Sequence, residues 1–243
     1  APLTAVLDSW SGLGYYSRAK KLHAGASVLV RNYVGKLPPA SEELQRIPGI
    51  GRYTAGAIAS IAFDQPEPAL DGNGIRVLTR YLGIREDPRR GPVQRKLWET
   101  LRQLVPTQAP GDFNQALMDL GATLCTPWSP RCADCPVAFG CKAYRNGWQE
   151  EIPPPKNPPP RKKIRYVCGL LEKPETVLLA RRPIATLLPG LWEFPGGEVR
   201  PGESASDALR HRLEERLGIS VRPFQQVAQV KQLLSHRELR IEA

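Results

Sequence analysis

Apolar positions in the first part of the chain recur at helical spacing. Ala24, Val28 and Val30 share one periodic segment, Ala55, Ile58, Ile61 and Ala62 a second, and Leu78, Tyr81 and Leu82 a third. Beyond residue 163 the pattern changes. Ile164 to Leu171 reads as a short β-strand and Val177 to Ala180 as another. Pro195-Gly196-Gly197 lies in a Gly/Pro-rich loop, and Ser204 to Leu217 returns to a helix. Between the two patterns, six of the 25 prolines crowd into Pro153-Pro154-Pro155-Lys156-Asn157-Pro158-Pro159-Pro160, followed at once by Arg161, Lys162 and Lys163. Such a run excludes a helix or a central strand and favours an extended polyproline conformation. The reading is therefore multi-domain: an all-α domain over residues 1–150, a semi-rigid linker over 151–163, and an α+β domain over 164–243, with no internal repeat.

Composition narrows the class. With 41% hydrophobic and 24% charged residues over 243 positions, the chain is not wholly disordered and is long enough for one large or two modest domains. No apolar run approaches the ~18 residues of a membrane span, which excludes an integral membrane protein, and no signal segment opens the chain. An intracellular site is expected: cytoplasm or nucleoid in a bacterium, nucleus or mitochondrion in a eukaryote. There are 34 Lys+Arg against 24 Asp+Glu, a formal charge of +10. That excess suggests a polyanionic partner, most simply nucleic acid, although a basic protein without such a partner would look the same.

Four of five cysteines fall together, Cys125, Cys132, Cys135 and Cys141, in a C-x6-C-x2-C-x5-C array. Two disulfides are poorly supported, because nothing else in the chain is secretory. Four thiolates suit either tetrahedral zinc or a [4Fe–4S] cluster. Zinc ribbons usually show two CxxC pairs and this array has one, so iron–sulfur is favoured. Arg131, Lys142 and Arg145 flank the array and could present charge to a phosphate. Cys168 stands apart in a predicted strand and reads as a core residue.

Ser41 to about Arg46 forms a short helical stretch; a Pro48-Gly49-Ile50-Gly51 turn follows, and a second helix begins with Arg52-Tyr53-Thr54. The glycines permit a turn closed to other residues. They leave the N–H groups of the second helix facing outward, ready for an anion. An ordinary αα-hairpin is the plain alternative; Arg46 and Arg52 beside the turn favour a phosphate grip. Further on, Leu70-Asp71-Gly72-Asn73-Gly74 opens a helix that carries Arg76 and Arg80. Asp71 in isolation is a helix N-cap. A carboxylate kept ionised by the helix dipole, behind a DNA-gripping hairpin, also suits a reaction that builds positive charge on a sugar, such as glycosidic cleavage.

These pieces together resemble the helix–hairpin–helix DNA glycosylases with an iron–sulfur cluster, the endonuclease-III superfamily, and within it the MutY-type adenine glycosylases. The landmarks are Trp10-Ser11-Gly12-Leu13-Gly14-Tyr15-Tyr16, the stretch from Ile47 to Ile58, Leu70 to Asn73, Phe113 to Gly121, and the four cysteines. The resemblance implies a [4Fe–4S] cluster on Cys125, Cys132, Cys135 and Cys141. It implies removal of adenine mispaired with 8-oxoguanine or guanine in double-stranded DNA. Asp71 is the implied stabiliser of the oxocarbenium-like sugar, with Asn73 and Tyr53 assisting. DNA contacts are implied at Leu13, Tyr15, Pro48, Gly49, Ile50, Gly51 and Arg52, with Tyr15 as an aromatic wedge. Bifunctional relatives carry a lysine where this chain has Tyr53; a phenol of pKa ~10 cannot form their Schiff base, so a monofunctional enzyme is expected. A non-catalytic DNA-binding protein of the same fold, or a bifunctional lyase, is the alternative. The family's general acid is a glutamate on an early helix, in a Gln-Gln-containing segment ahead of the Trp10 motif. None of the nine residues before Trp10 matches it. The chain is therefore expected to be shortened at its start, to lack that acid and the first helix, and to excise little adenine by itself.

In the second domain, the stretch from Gly197 to Ile219 has the spacing of a Nudix box, G-x5-E-x7-R-E-U-x-E-E-x-G-U. Glu203 fits, but His211, Arg212 and Arg216 replace the motif's Arg, Glu and final Glu. Nudix hydrolases hold Mg²⁺ with those carboxylates, so this unit reads as a Nudix fold without the hydrolase. The resemblance implies that it recognises 8-oxoguanine, with Ser235 and His236 in the family's lesion-contacting loop and Leu234 in place of its Phe. The end of this domain, after Ala243, is expected to be missing too.

Overall fold

The structure, a computed structural model, describes residues 1–155, 160–182, 190–221, 225–234 and 236–243. It divides into two units, Ala1–Lys156 and Asn157–Ala243. The first is helical: α1 (Leu3–Ser9), α2 (Tyr16–Tyr33), α3 (Ser41–Leu44), α4 (Arg52–Phe63), α5 (Gly72–Leu82), α6 (Gly91–Leu104), α7 (Pro110–Thr123) and α8 (Lys142–Asn146). Local chemistry sets several of these ends. Pro lies in the first turn of both α6 and α7, where its missing N–H costs nothing. Helix α5 stops at Gly83, φ +68°, where the Gly83 and Ile84 amides turn back to the carbonyls of Arg80 and Thr79.

Two cores hold the helices. Leu70, Leu78, Ile84, Leu97, Leu101 and Val105 join α5 to α6. Leu44, Ile47, Ala55 and Ala59 fasten α3 and its following turn to α4, with Val28 and Leu29 of α2 against them. The buried stripe is not quite the one periodicity suggests: Val30 and Ile61 are 69% and 46% exposed. Their helices bury smaller residues instead, Gly25 in α2 and Gly56 and Ala59 in α4, because the neighbouring backbone comes too near for a branched side chain. At Gly56 the approach is extreme. A Cβ there would meet the Pro68 carbonyl oxygen at 2.0 Å.

That approach brings the strap of residues 64–70 against α4. Asn114 of α7, fully buried, ties the strap to α4. Its Oδ1 accepts the Ala69 N–H at 3.1 Å, while its Nδ2 donates to Ser60 Oγ and to the Glu67 carbonyl, each at 2.9 Å. The strap delivers the chain directly to Asp71.

The second unit contains β1 (Lys162–Cys168), β2 (Glu172–Lys173), β3 (Thr176–Val177), β4 (Ala180–Arg181), β5 (Trp192–Glu193), β6 (Gly196–Glu198), α9 (Ala205–Leu217), β7 (Gln229–Leu233) and β8 (Arg237–Glu242). Its main sheet runs β6-β1-β8-β7, with β1 parallel to β8 and the other pairs antiparallel. Ala208, Leu209 and Leu213 of α9 pack on Val167 and Val199. The Ser204 hydroxyl caps α9 by accepting the Asp207 N–H at 3.1 Å, and Cys168 is buried as expected.

Two sequence boundaries shift. The strand expected over Val177 to Ala180 is split between β3 and β4, each paired with a different partner. Glu151 and Ile152, assigned by the sequence to the linker, belong to the helical unit: Ile152 is 1% exposed, and Glu151 pairs with Arg85 at 2.7 Å. At the other end, Lys162 and Lys163 already pair with β8. Proline content marks where helix cannot continue, not where packing ceases. Residues 156–159 of the proline run lie outside the described residues.

Gly56→Ala should destabilise the helical unit by about 1–3 kcal/mol, since the obstructing atom is backbone. Chemical denaturation followed by far-ultraviolet circular dichroism would measure this, and an unchanged midpoint would contradict the packing described.

Candidate active site and nucleic-acid interface

The turn between α3 and α4 is anchored from below. Ile47 is 2% exposed and its carbonyl accepts the Ile50 N–H at 3.1 Å. Gly49 adopts φ +93°, and a Cβ there would lie 3.0 Å from that of Lys21 on α2. The turn is thus pressed onto α2, while Pro48, Gly49 and Gly51 face solvent. Gly51 is the α4 N-cap, and among the described residues no side-chain cap satisfies the first N–H groups of that helix. Backbone donors at the positive end of a twelve-residue helix are therefore exposed beside Arg46. Arg52 is exposed but not unengaged: its guanidinium stacks over Trp98, 4.0 Å from the ring centroid. Burial, reinforced by Arg102, holds its pKa below the usual arginine value.

A second exposed element precedes α2. The Trp10 indole N–H donates to the Gly14 carbonyl at 2.9 Å, closing the loop. Gly12 and Gly14 take positive φ, and so does Tyr15, at +48°. A left-handed conformation is uncommon for an aromatic residue. Here it turns Leu13 and Tyr15 outward, 68% and 66% exposed.

Asp71 is half-buried and is the N-cap of α5, accepting the Gly74 N–H through Oδ1 at 2.7 Å. The capping and chemical roles of this carboxylate are compatible: the cap fixes one oxygen at the positive end of the helix. Tyr53, 39% exposed on α4, points its hydroxyl at Met118 Sδ, 3.8 Å away. Its neighbour in α7, Leu117, packs beside Gly74. Tyr53 and Gly74, the residue whose N–H caps onto Asp71, thus lie beside consecutive residues of α7; among the described residues no hydrogen bond joins Tyr53 to Asp71.

Asn73 is joined to the cysteine loop through arginine. Arg76 donates to Asn73 Oδ1 at 2.9 Å and to the carbonyls of Gly121 and Cys125, each at 2.7 Å. Burial, reinforced by Arg80, holds the Arg76 pKa below the usual value, with Cys125 and Asp71 opposing. One turn later, Arg80 is only 3% exposed. It reaches the carbonyls of Ile152 and Thr126 at 2.7 Å, that of Pro127 at 3.1 Å, and Cys125 Sγ at 3.3 Å. These two cations do not face a phosphate, contrary to what their place in a basic helix suggests. Both arginines are visible in the sequence on the helix after Asp71, and Asn114 lies within the Phe113 to Gly121 landmark, but nothing around them there points to these partners. Hydrophilic residues whose partners are backbone carbonyls leave no pattern in one sequence.

Cys125, Cys132, Cys135 and Cys141 are all unbridged, and all four line one small cavity of about 30 Å³, with Arg80 and Tyr144 in its wall. Burial pushes the Cys132 thiol up, and Cys125 and Cys141 push it further the same way. Among the described residues, no three His, Cys, Asp or Glu side chains form a preformed site for a single metal ion. In the second unit, His236 is exposed at the turn between β7 and β8, its carbonyl accepting the Lys162 N–H at 3.1 Å; Ser235 lies outside the described residues.

Residues 1–103 match the HhH-GPD superfamily of base excision DNA repair proteins, and residues 166–243 match the NUDIX domain. The chain belongs to the HhH-GPD superfamily, with a Nudix-like unit following the helical one. It is 38% identical to the adenine DNA glycosylase of Rattus norvegicus, over 98% of this chain and 55% of that protein. The corresponding values for the adenine DNA glycosylase of Homo sapiens are 38%, 98% and 53%. The chain thus spans about half the length of these curated relatives. Among solved structures, it is similar to a thermostable thymine-DNA glycosylase, with a TM-score of 0.53 and 30% identity over 60% of this chain and 67% of that one. A non-covalent endonuclease III–DNA complex gives 0.51 and 25%, over 60% of this chain and 67% of that one. Among the described residues, no helix is long and apolar enough to cross a membrane.

Arg80→Met should leave several inward-facing carbonyls and the Cys125 sulfur without their donor. Hydrogen exchange over residues 125–127 and 152 should rise by roughly tenfold or more, with α2 and α4 unaffected. Unchanged exchange there would mean that the guanidinium does not fasten the loop.

Proposed function

We propose that the protein of which this chain is part is a monofunctional DNA glycosylase that removes adenine mispaired with 8-oxoguanine or guanine. The observation that carries this reading is the Asp71 carboxylate, fixed by its own helix behind a hairpin with exposed backbone donors. The relatives' shared name, adenine DNA glycosylase, supports it.

The residues divide the work as follows. The Pro48–Gly51 turn and the first N–H groups of α4 grip a phosphate. The outward ring of Tyr15, beside Leu13, enters the stack next to the lesion, and the adenine nucleotide leaves the helix to be reached. The bond from the sugar carbon to the adenine nitrogen then breaks. Its electron pair leaves with the base, which takes up a proton, and water supplies the oxygen that completes the sugar. Asp71 stabilises the positive charge that develops on the sugar in between. Asn73, oriented by Arg76, and Tyr53 complete the pocket. Tyr53 stands where a lyase would need an amine, so no Schiff base forms. The Nudix-like unit reads the 8-oxoguanine partner, with Ser235 and His236 as the contacts.

The cysteine cavity supports a [4Fe–4S] cluster: four unbridged thiols surround one space, the number of thiolates such a cluster takes. Cys125, Cys132, Cys135 and Cys141 would hold it, each through its thiolate; when bound, the cluster cross-links the loop that Arg76 and Arg80 tie to α5.

Asp71→Asn in the full-length protein should leave mispair binding within a few-fold while lowering single-turnover excision by about a thousandfold or more; parental activity would remove Asp71 from the mechanism. Borohydride should trap no covalent DNA adduct through Tyr53. For the cluster, the purified protein should show broad visible absorbance, with iron and not zinc by metal analysis, and Cys135→Ser should diminish both.

A further inference from the structure

The Nudix-like unit inherits a motif whose intact form gathers carboxylates around Mg²⁺. The residues present do not fit that ion. On the last turn of α9, where the motif asks for an acid, Arg216 sends Nη1 to Glu193 Oε1 at 3.1 Å and to the Gly196 carbonyl oxygen at 2.8 Å. The other oxygen of Glu193 pairs with Arg182 and accepts the Tyr166 hydroxyl at 2.9 Å. The Glu193 side chain is only 12% exposed and that of Arg216 only 23%. One turn earlier, Arg212 stands where the motif asks for another acid. It donates to the Glu198 carbonyl at 3.3 Å and pairs with Glu215 at 3.2 Å, and Glu203 is closed off by His211 at 2.9 Å.

We propose that Arg216 is a built-in substitute for the divalent cation, holding β5, β6 and α9 together through one carboxylate and one carbonyl oxygen. Those are the hard oxygen donors that Mg²⁺ prefers. The guanidinium supplies permanent positive charge and directed N–H bonds, without Lewis acidity and without an exchangeable ligand position. Tyr166 serves the same carboxylate: burial, and then Glu193 beside it, push the phenol up to about 12, so its hydroxyl remains a donor to Glu193 Oε2. The unit thereby keeps the geometry of a cation-dependent fold while being insensitive to cations, whichever base the helical unit excises. It also follows that the cation site is latent, and that returning two acids should open it.

Hydrogen exchange by mass spectrometry on the whole chain, with and without millimolar Mg²⁺, tests this. Thiolates do not compete for so hard an ion. In the parent, Mg²⁺ should leave peptides covering 192–198 and 205–217 unchanged; protection gained there would overturn the proposal. Arg212→Glu/Arg216→Glu should exchange faster than the parent in those peptides without Mg²⁺, and regain roughly tenfold protection or more with it. A folded double variant indifferent to Mg²⁺ would also overturn it. If the double variant does not fold, Arg216→Met decides. It should lose protection over 192–198 by about tenfold or more, locally or across the unit, with no recovery in Mg²⁺; parental protection in that variant would show that Arg216 holds nothing.

Discussion

Two guanidiniums on α5 determine much of what the helical unit can do. Arg76 and Arg80 are embedded between that helix and the loop that carries the cysteines, and their partners are almost all backbone carbonyls. Carbonyls facing inward need donors, and a loop with so little regular structure has few of its own. The arginines provide them and at the same time fix where α5 begins. Asp71 is the first residue to feel that placement. The strap before it is held by Asn114, and the helix after it by Arg76 and Arg80, so the carboxylate is positioned from both sides.

This arrangement changes how the excess of basic residues should be read. The charge of +10 suggests a surface built to meet a polyanion. Yet Arg76 and Arg80 face carbonyls, Arg52 lies over an indole, and Arg216 sits beside a shielded carboxylate. Under the proposed function, phosphate contact in the helical unit falls instead to uncharged groups, the N–H donors at the start of α4, with exposed Arg46 nearby. Those donors have fixed directions, which a flexible cation lacks. On that proposal, the net charge attracts a duplex from a distance, while fixed amides set its register.

Much of the fold was legible because its signals are local. The Pro48–Gly51 turn, the Asp71 cap and the Ser204 to Leu217 helix each depend on neighbours a few residues away, and all appear in the structure. The cysteine array read as one site because its members are close in sequence, and they do line one cavity. What could not be read depends on distant partners. Asn114 hydrogen-bonds residues more than forty positions away, and nothing in its neighbourhood separates a buried amide from an exposed one. Val30 and Ile61 misled for the complementary reason: they have the right periodicity, but only small residues fit where backbones touch. In the Nudix-like unit, the loss of two acids was visible in the motif, whereas Glu193 lies before the box and could not be connected to Arg216 without coordinates.

The loop before α2 has a consequence for the kinetics of encounter. Residues 12–15 include three with positive φ, and the Trp10 indole closes the loop from within. An aromatic ring displayed on a limp segment would have to be immobilised each time DNA arrived, and that lost freedom would be subtracted from the affinity. Here the chain itself has already restricted the ring's direction during folding. In the wedge role proposed for Tyr15, searching undamaged DNA requires many brief contacts, and a ring that needs no rearrangement can test each site within the lifetime of a collision.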